Sequence, residues 1–229
     1  MFYKSFKSKK EHKFTIILLH GMNMNISYLF KTVKYLQKNN KNLKIILPIA
    51  DKININWPQG IEYNISSWYD YFTRNDNLLK HDEIDIQQFE RQTNNIYKII
   101  DNEIKILCES KKIIIAGISQ GGSLALNIGI NYKCRLAGII GIHTLFLGDL
   151  INIPTINNVY KYTNFPIFLF SGDKDKIYNI KFQDLNLNPL RMKKFKIFWK
   201  IEKNLGHCKK SKNELKFISE SINYLFKQN

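Results

Sequence analysis

Short apolar runs recur along the chain, separated by segments long enough to form a helix. The runs predict strands near residues 14–19, 43–48, 112–117, 136–142, 165–170 and 195–201. Apolar residues spaced three or four positions apart predict helices near 26–38, 85–109, 120–132 and 211–226. Apolar strands alternating with helices are typical of a parallel sheet buried on both faces. The pattern therefore predicts an α/β protein with a mostly parallel central sheet.

The longest predicted helix places its apolar residues on one face, which we expect to pack against the sheet: Ile96, Ile99, Ile100, Ile104 and Leu107. Residues 49–84 break the alternation of strands and helices. We expect short strands there, with a turn at Trp68 that lies over the functional site. The length of 229 residues fits one domain over 14–229, preceded by a basic extension over 1–13 and lacking a large cap domain.

A serine flanked by glycines follows one predicted strand and begins a predicted helix, in the run Gly117-Ile118-Ser119-Gln120-Gly121. This context is typical of a nucleophile elbow, in which the serine adopts a strained backbone and a Cβ at either glycine would collide with its neighbours. The N–H of Gln120 then points to where an oxyanion would form, at the positive end of the helix. Ser119 is therefore a candidate nucleophile.

An elbow of this type is followed along the chain by an acid and then a histidine. The turn after the predicted strand 165–170 offers two carboxylates, Asp173 and Asp175. His207 is the only one of the five histidines that lies beyond this turn. The order therefore identifies His207 as the candidate base and leaves both aspartates as candidate acids.

A loop with His20-Gly21-Met22 follows the first predicted strand. Hydrolases with an elbow take a second oxyanion donor from such a loop, which makes the Met22 N–H the candidate. If only the N–H groups act, the side chains of Met22 and Gln120 should tolerate substitution. We expect His20 to be structural.

Four motifs in this order resemble those of the acyl-protein thioesterase and small carboxylesterase family of α/β-hydrolases, which includes lysophospholipases. They are Leu19-His20-Gly21, Ser67-Trp68-Tyr69-Asp70, the elbow extended through Gly122, and Gly172-Asp173-Lys174-Asp175 with Leu205-Gly206-His207. The resemblance spans roughly residues 14–226 and implies an α/β-hydrolase fold. It implies a triad of Ser119, His207 and Asp175, with Asp175 preferred over Asp173 because the family uses the second aspartate of this turn.

Two stretches depart from the family's usual pattern. The chain has Met22-Asn23-Met24-Asn25 where the family has a glycine-containing, Asp-ended stretch, and Ile142-His143 where it has Ser-Gly. Both lie near the expected acyl-binding side. Candidate substrate contacts are therefore Met24, Trp68 and His143, with packing as the alternative for Met24 and a buried anchor as the alternative for Trp68.

The net charge of +16 is spread along the chain, with basic clusters at Lys4, Lys7, Lys9 and Lys10 and at Lys209, Lys210 and Lys212. These clusters favour transient contact with anionic membrane surfaces, and the lack of an Arg-rich stripe argues against nucleic-acid binding. Cys108, Cys134 and Cys208 lack metal-ligand spacing, so we expect neither a metal nor a cofactor. Unpaired thiols and a basic start without an apolar core favour the cytoplasm.

The sequence thus predicts a serine hydrolase that cleaves acyl thioesters or carboxylic esters, with long-chain acyl groups of S-acylated proteins or lysolipids as the expected substrates. A carboxylesterase for short soluble esters is the first alternative. A non-catalytic binding protein on the same fold is the second. The pattern does not indicate an oligomeric state.

Overall fold

The computed structural model describes residues 1–148, 163–209 and 211–228, which leaves Lys210 of the second basic cluster outside the described residues. Seven of the described strands form one sheet, in the spatial order β1 (Tyr3–Phe6), β3 (Leu43–Pro48), β2 (Phe14–Leu19), β6 (Ile113–Ile118), β7 (Gly138–Ile142), β8 (Pro166–Gly172) and β9 (Lys196–Glu202). Every neighbouring pair is parallel except β1 and β3. The predicted, mostly parallel sheet is confirmed.

A separate two-stranded hairpin consists of β4 (Lys52–Trp57) and β5 (Gly60–Ser66). The described helices are α1 (Phe30–Asn39), α2 (Ile86–Leu107), α3 (Gln120–Asn131), α4 (Ile180–Asn186), α5 (Asn188–Met192) and α6 (Lys212–Lys227), with 3-10 turns at Ile26–Leu29 and Ser110–Lys112.

The sheet is covered on both faces, and strand β2 shows how its sequence achieves this. Successive side chains of a strand point to opposite faces. Ile16 and Leu18 therefore pack with α1 and α6, whereas Ile17 and Leu19 pack with α2 and α3. A strand buried on both faces needs apolar residues at every position, which explains the uninterrupted run that the sequence shows.

Helix α2 uses the predicted face against the sheet, because Ile96, Ile99, Ile100 and Leu107 are buried and Ile104 packs beside them. Its amino end is capped by the Asp85 carboxylate, which accepts a hydrogen bond from the Gln88 N–H. The region 49–84 contains the β4–β5 hairpin and the turn at Trp68.

Among the strands and α-helices that the structure describes, three were not predicted from the sequence. Strand β1 lies in the segment expected to be a basic extension and pairs antiparallel with β3 at the edge of the sheet. Its residues are mostly exposed, so the segment carries no buried apolar run. Helices α4 and α5 follow the turn that contains Asp175 and are only 7 and 5 residues long, too short for a clear period.

Within the described part of the chain, no helix combines the length and the apolar character needed to cross a membrane.

Candidate active site

Ser119 lies between β6 and α3 with backbone angles φ 52° and ψ −122°, a conformation that non-glycine residues rarely adopt. Its N–H donates to the Ile142 carbonyl at 2.8 Å, which ties the turn to the neighbouring strand. A Cβ on Gly117 would lie 2.1 Å from the Gly121 carbonyl oxygen, and a Cβ on Gly121 would lie 2.3 Å from the His20 carbonyl oxygen. Both glycines are therefore required by backbone contacts, as the sequence predicts.

The structure brings together three residues that are far apart in the sequence. The Oγ of Ser119 lies 2.8 Å from Nε2 of His207, and Nδ1 of His207 lies 2.8 Å from Oδ2 of Asp175. Because an ionised carboxylate can only accept, Nδ1 carries the ring proton and Nε2 is free to accept from the serine hydroxyl. This is the arrangement of a nucleophile, a base and an orienting acid.

Asp175 is held from its other side by the backbone of the loop that follows it. Its Oδ1 accepts from the N–H of Ile177 at 2.9 Å and from the N–H of Tyr178 at 2.8 Å. Burial by itself would raise the pKa of Asp175, but interactions with His143, His207 and these N–H groups outweigh it and hold the pKa well below its usual range. The carboxyl therefore remains ionised beside His207.

The alternative acid, Asp173, is exposed and accepts a hydrogen bond from the Asn204 N–H. It makes no contact with His207, so the geometry favours Asp175.

Two backbone donors lie beside Ser119 without hydrogen-bond partners among the described residues: the N–H groups of Met22 and Gln120. Both residues line the same small cleft as Ser119, about 130 Å³ in volume. The Gln120 N–H also lies in the first turn of α3, where the helix dipole favours negative charge. Two free donors beside a nucleophile suit a developing oxyanion.

His20 braces the loop that carries Met22. Its ring is fully buried. Nδ1 lies 2.7 Å from the Gly21 carbonyl oxygen, and Nε2 accepts a hydrogen bond from the Ala50 N–H at 3.1 Å. Burial lowers the pKa of His20, which keeps the ring neutral with the proton on Nδ1. His20 therefore has a structural environment, as expected.

The side chain of Gln120 does more than the sequence suggests. It is 1% exposed, and its Nε2 donates to Ser67 Oγ at 2.8 Å and to the Tyr69 carbonyl at 2.9 Å. Its Oε1 accepts from the Trp68 N–H at 3.0 Å. These contacts argue against the expectation that this side chain tolerates substitution, because replacing it leaves the buried Trp68 N–H without its acceptor.

Trp68 is not placed to contact a substrate, which corrects its assignment as a candidate binding residue. The side chain is 1% exposed, and its Nε1–H donates to the His20 carbonyl at 2.7 Å. Trp68 therefore anchors the loop below the site instead of lining it.

Met24 and His143 line a second, mainly apolar cleft, which His207 also lines. Its volume is about 170 Å³, and its apolar lining comes from Met24, Tyr28, Leu29, Ile118 and Leu215. Met24 is half-buried there and available to a ligand, whereas His143 is 2% exposed and lies at the base.

The environment of His143 includes one acidic residue that sequence reasoning missed. Nδ1 of His143 lies 3.7 Å from Oδ2 of Asp175, and Nε2 lies 3.8 Å from Oε2 of Glu214 in α6. No motif marks Glu214, because its role depends on which helix face covers the loop after β7.

No group of three or more potential metal ligands is found among residues 1–148, 163–209 and 211–228. Cys108, Cys134 and Cys208 are exposed free thiols.

Comparison with known proteins assigns the family. The profile of the phospholipase/carboxylesterase family matches residues 5–226. Acyl-protein thioesterase 1 of Neurospora crassa is 28% identical over 205 residues, 86% of this chain and 80% of the relative. Acyl-protein thioesterase 1 of Schizosaccharomyces pombe is 32% identical over 170 residues, 72% of this chain and 70% of the relative.

The crystal structure of acyl-protein thioesterase 2 from Zea mays superposes with a TM-score of 0.78 at 18% identity, covering 97% of this chain and 98% of the other. That likeness supports the fold, and the sequence relatives support the enzyme class. The chain is a hydrolase of the α/β-hydrolase fold and belongs to the phospholipase/carboxylesterase family.

Proposed function

We propose that this hydrolase cleaves acyl thioesters or carboxylic esters through a covalent acyl-enzyme on Ser119, with His207 as the base and Asp175 as the orienting acid. The observation that carries the proposal is the pair of 2.8 Å contacts from His207 to Ser119 and to Asp175. These distances are already within the range required for proton transfer.

The chemistry follows from the groups in place. A serine hydroxyl is a poor nucleophile at neutral pH, so His207 takes its proton as Oγ attacks the substrate carbonyl. Asp175 stabilises the imidazolium, and the N–H groups of Met22 and Gln120 receive the oxyanion. His207 then protonates the leaving thiol or alcohol, and water activated by the same ring hydrolyses the acyl-enzyme.

We propose long-chain acyl groups as the substrates, presented on S-acylated proteins or lysolipids. The apolar cleft beside His207 supports this, because its methionine, leucine and isoleucine side chains match a hydrocarbon chain. The cleft beside Ser119 has a mixed lining, because charged side chains share it with apolar and aromatic ones, and it matches a hydrocarbon chain less well: Glu62, Arg74, Asp76 and Asp82 with Met22, Trp57, Tyr71, Ile177 and Tyr178. The names of the relatives, acyl-protein thioesterases, agree with this substrate class.

A fluorophosphonate probe tests the mechanism directly, because it labels only a serine with an activated hydroxyl. We expect the wild-type protein to be labelled and Ser119→Ala to remain blank. Ser27→Ala is the matched control, since Ser27 is an exposed serine near the second cleft and should leave labelling unchanged. An unlabelled, folded wild-type protein would favour the non-catalytic alternative and contradict the proposal.

The substrate class is tested by kcat/KM on matched thioester and oxyester series of increasing acyl length. We expect kcat/KM to rise with chain length as more methylenes enter the apolar cleft, by roughly fourfold for each fully buried methylene. Met24→Ser should reduce this rise and leave the rate on acetyl esters unchanged. An optimum at acetyl or butyryl would instead indicate a carboxylesterase for short soluble esters.

The net charge of +16 supports transient contact of a cytoplasmic enzyme with anionic membranes, where acylated substrates are found. Binding to phosphatidylserine vesicles that is lost at high salt would support this proposal. Equal binding to neutral vesicles would contradict it.

A further inference from the structure

His143 occupies an unusual position for a histidine that is not part of the proposed triad. It follows β7 with a positive φ of 46°, and its N–H donates to the Phe170 carbonyl at 2.7 Å. The residue is 2% exposed, and neither ring nitrogen makes a hydrogen bond in the described structure. A buried imidazole without hydrogen bonds is costly, so its surroundings should explain its presence.

Two carboxylates lie at opposite ends of the His143 ring. Asp175 faces Nδ1 at 3.7 Å and Glu214 faces Nε2 at 3.8 Å. A neutral ring would turn one nitrogen lone pair toward a carboxylate, whereas a protonated ring presents an N–H to both. Burial by itself lowers the pKa of His143, but the two carboxylates outweigh it and raise the pKa to about 9.

Other titratable groups approach the same region from three elements. His207, Cys208 and Lys209 come from the loop after β9, Lys31 comes from α1, and Tyr28 comes from the turn before it. The charged groups that act on His143 are the two carboxylates. The ring centroids of His143 and His207 are 5.8 Å apart.

We infer that His143 is a positioning residue, held as an imidazolium between Asp175 and Glu214, whose positive charge beside the ring of His207 extends activity to lower pH than the triad alone would allow. The inference rests on the proposed function, because it concerns the base of that mechanism.

The direction of the effect follows from the charges. A positive charge beside His207 opposes the protonation that inactivates the base, and removing it makes that protonation easier. At 5.8 Å, effective dielectric constants between about 20 and 80 bracket the interaction at roughly 0.5–2 pH units. The acidic limb of the pH–rate profile therefore moves upward when His143 loses its charge.

The rate of fluorophosphonate labelling between pH 4 and 9 measures this limb without a physiological substrate. His143→Asn is the variant of choice, because asparagine is neutral and accepts a positive φ better than most residues. We expect its acidic limb to lie about one unit above that of the wild-type protein. A limb within about 0.2 units of wild type, or a downward shift, overturns the inference.

Glu214→Gln provides a second arm if His143→Asn does not fold. It removes the counter-charge at Nε2, while Asp175 still faces Nδ1 of the protonated ring, so the limb should move down by about 0.3 units, the smaller size reflecting the greater exposure of Glu214 to solvent. Glu220→Gln removes an exposed carboxylate of the same helix and should leave the limb in place. No shift or an upward shift in Glu214→Gln also overturns the inference.

The two proposals fail separately. Labelling of Ser119→Ala would overturn the proposed function and the inference with it. If Ser119→Ala is not labelled but the acidic limb of His143→Asn does not shift, the inference is overturned and the proposed function stands.

Discussion

The side chain of Gln120 gives the sharpest test of how the elbow is supported. Gln120→Ala removes the acceptor of the Trp68 N–H and one of the two donors to the Tyr69 carbonyl, while Ser67 Oγ still reaches that carbonyl at 2.8 Å. The backbone N–H of residue 120 remains where it is. The substitution therefore separates support of the loop from donation to the oxyanion.

One buried donor, the Trp68 N–H, loses its partner entirely, at a cost of about 1–3 kcal/mol. The space left by the amide adds to this cost, whereas the better helix propensity of alanine offsets a few tenths of a kcal/mol. We therefore expect the free energy of unfolding to fall by about 2–3 kcal/mol. The labelling rate of the folded protein should fall less than about 100-fold, because losing an oxyanion donor costs at least that much.

Urea denaturation measures the change in stability, and fluorophosphonate labelling in the absence of urea measures the elbow. Gln87→Ala is the matched control: Gln87 is also in the first turn of its helix, α2, but is exposed, so its loss should cost no more than about 0.5 kcal/mol. A loss of less than about 1 kcal/mol in Gln120→Ala would refute the reasoning from buried hydrogen bonds.

Two further substitutions test the remaining assignments. Asp175→Asn should reduce kcat by about 10³–10⁴-fold, because the His207 tautomer is no longer fixed. Asp173 is exposed, so Asp173→Asn should change kcat by less than about twofold. Equal losses of kcat for the two variants in steady-state assays would reopen the choice of acid. Trp68→Phe removes the donor to the His20 carbonyl, so the free energy of unfolding measured by urea denaturation should fall by about 1–3 kcal/mol. The KM for long acyl esters should stay unchanged. A raised KM with normal stability would restore Trp68 as a substrate contact.

Much of the fold can be predicted because a parallel sheet buried on both faces leaves a strong pattern. Each such strand needs an uninterrupted apolar run, and the predicted strands therefore agree with the observed ones within a few residues. Strand β1 has no such signal, because an edge strand with an exposed face needs none.

Some features of the candidate site can likewise be predicted from the sequence, and others cannot. Ser119 and His207 belong to local motifs in a fixed order, and the family resemblance prefers Asp175 over Asp173. The sequence therefore names all three as candidates before the structure brings them together. The pairing of His143 with Glu214 depends on how α6 lies over the loop after β7, and no local pattern carries that information. The buried role of the Gln120 side chain is hidden for the same reason, since its partners Ser67 and Tyr69 are more than 50 residues away.

The contact between Gly121 and the His20 carbonyl has a consequence for divergence within the family. The loop that carries Met22 and the turn that carries Gln120 meet main chain against main chain, with no side chain between them. The spacing of the two free N–H groups is thus set by peptide geometry, and mutations cannot tune it gradually. Selection can reshape the clefts through Met24 and its neighbours, so new substrate preferences can arise while the catalytic chemistry stays constant.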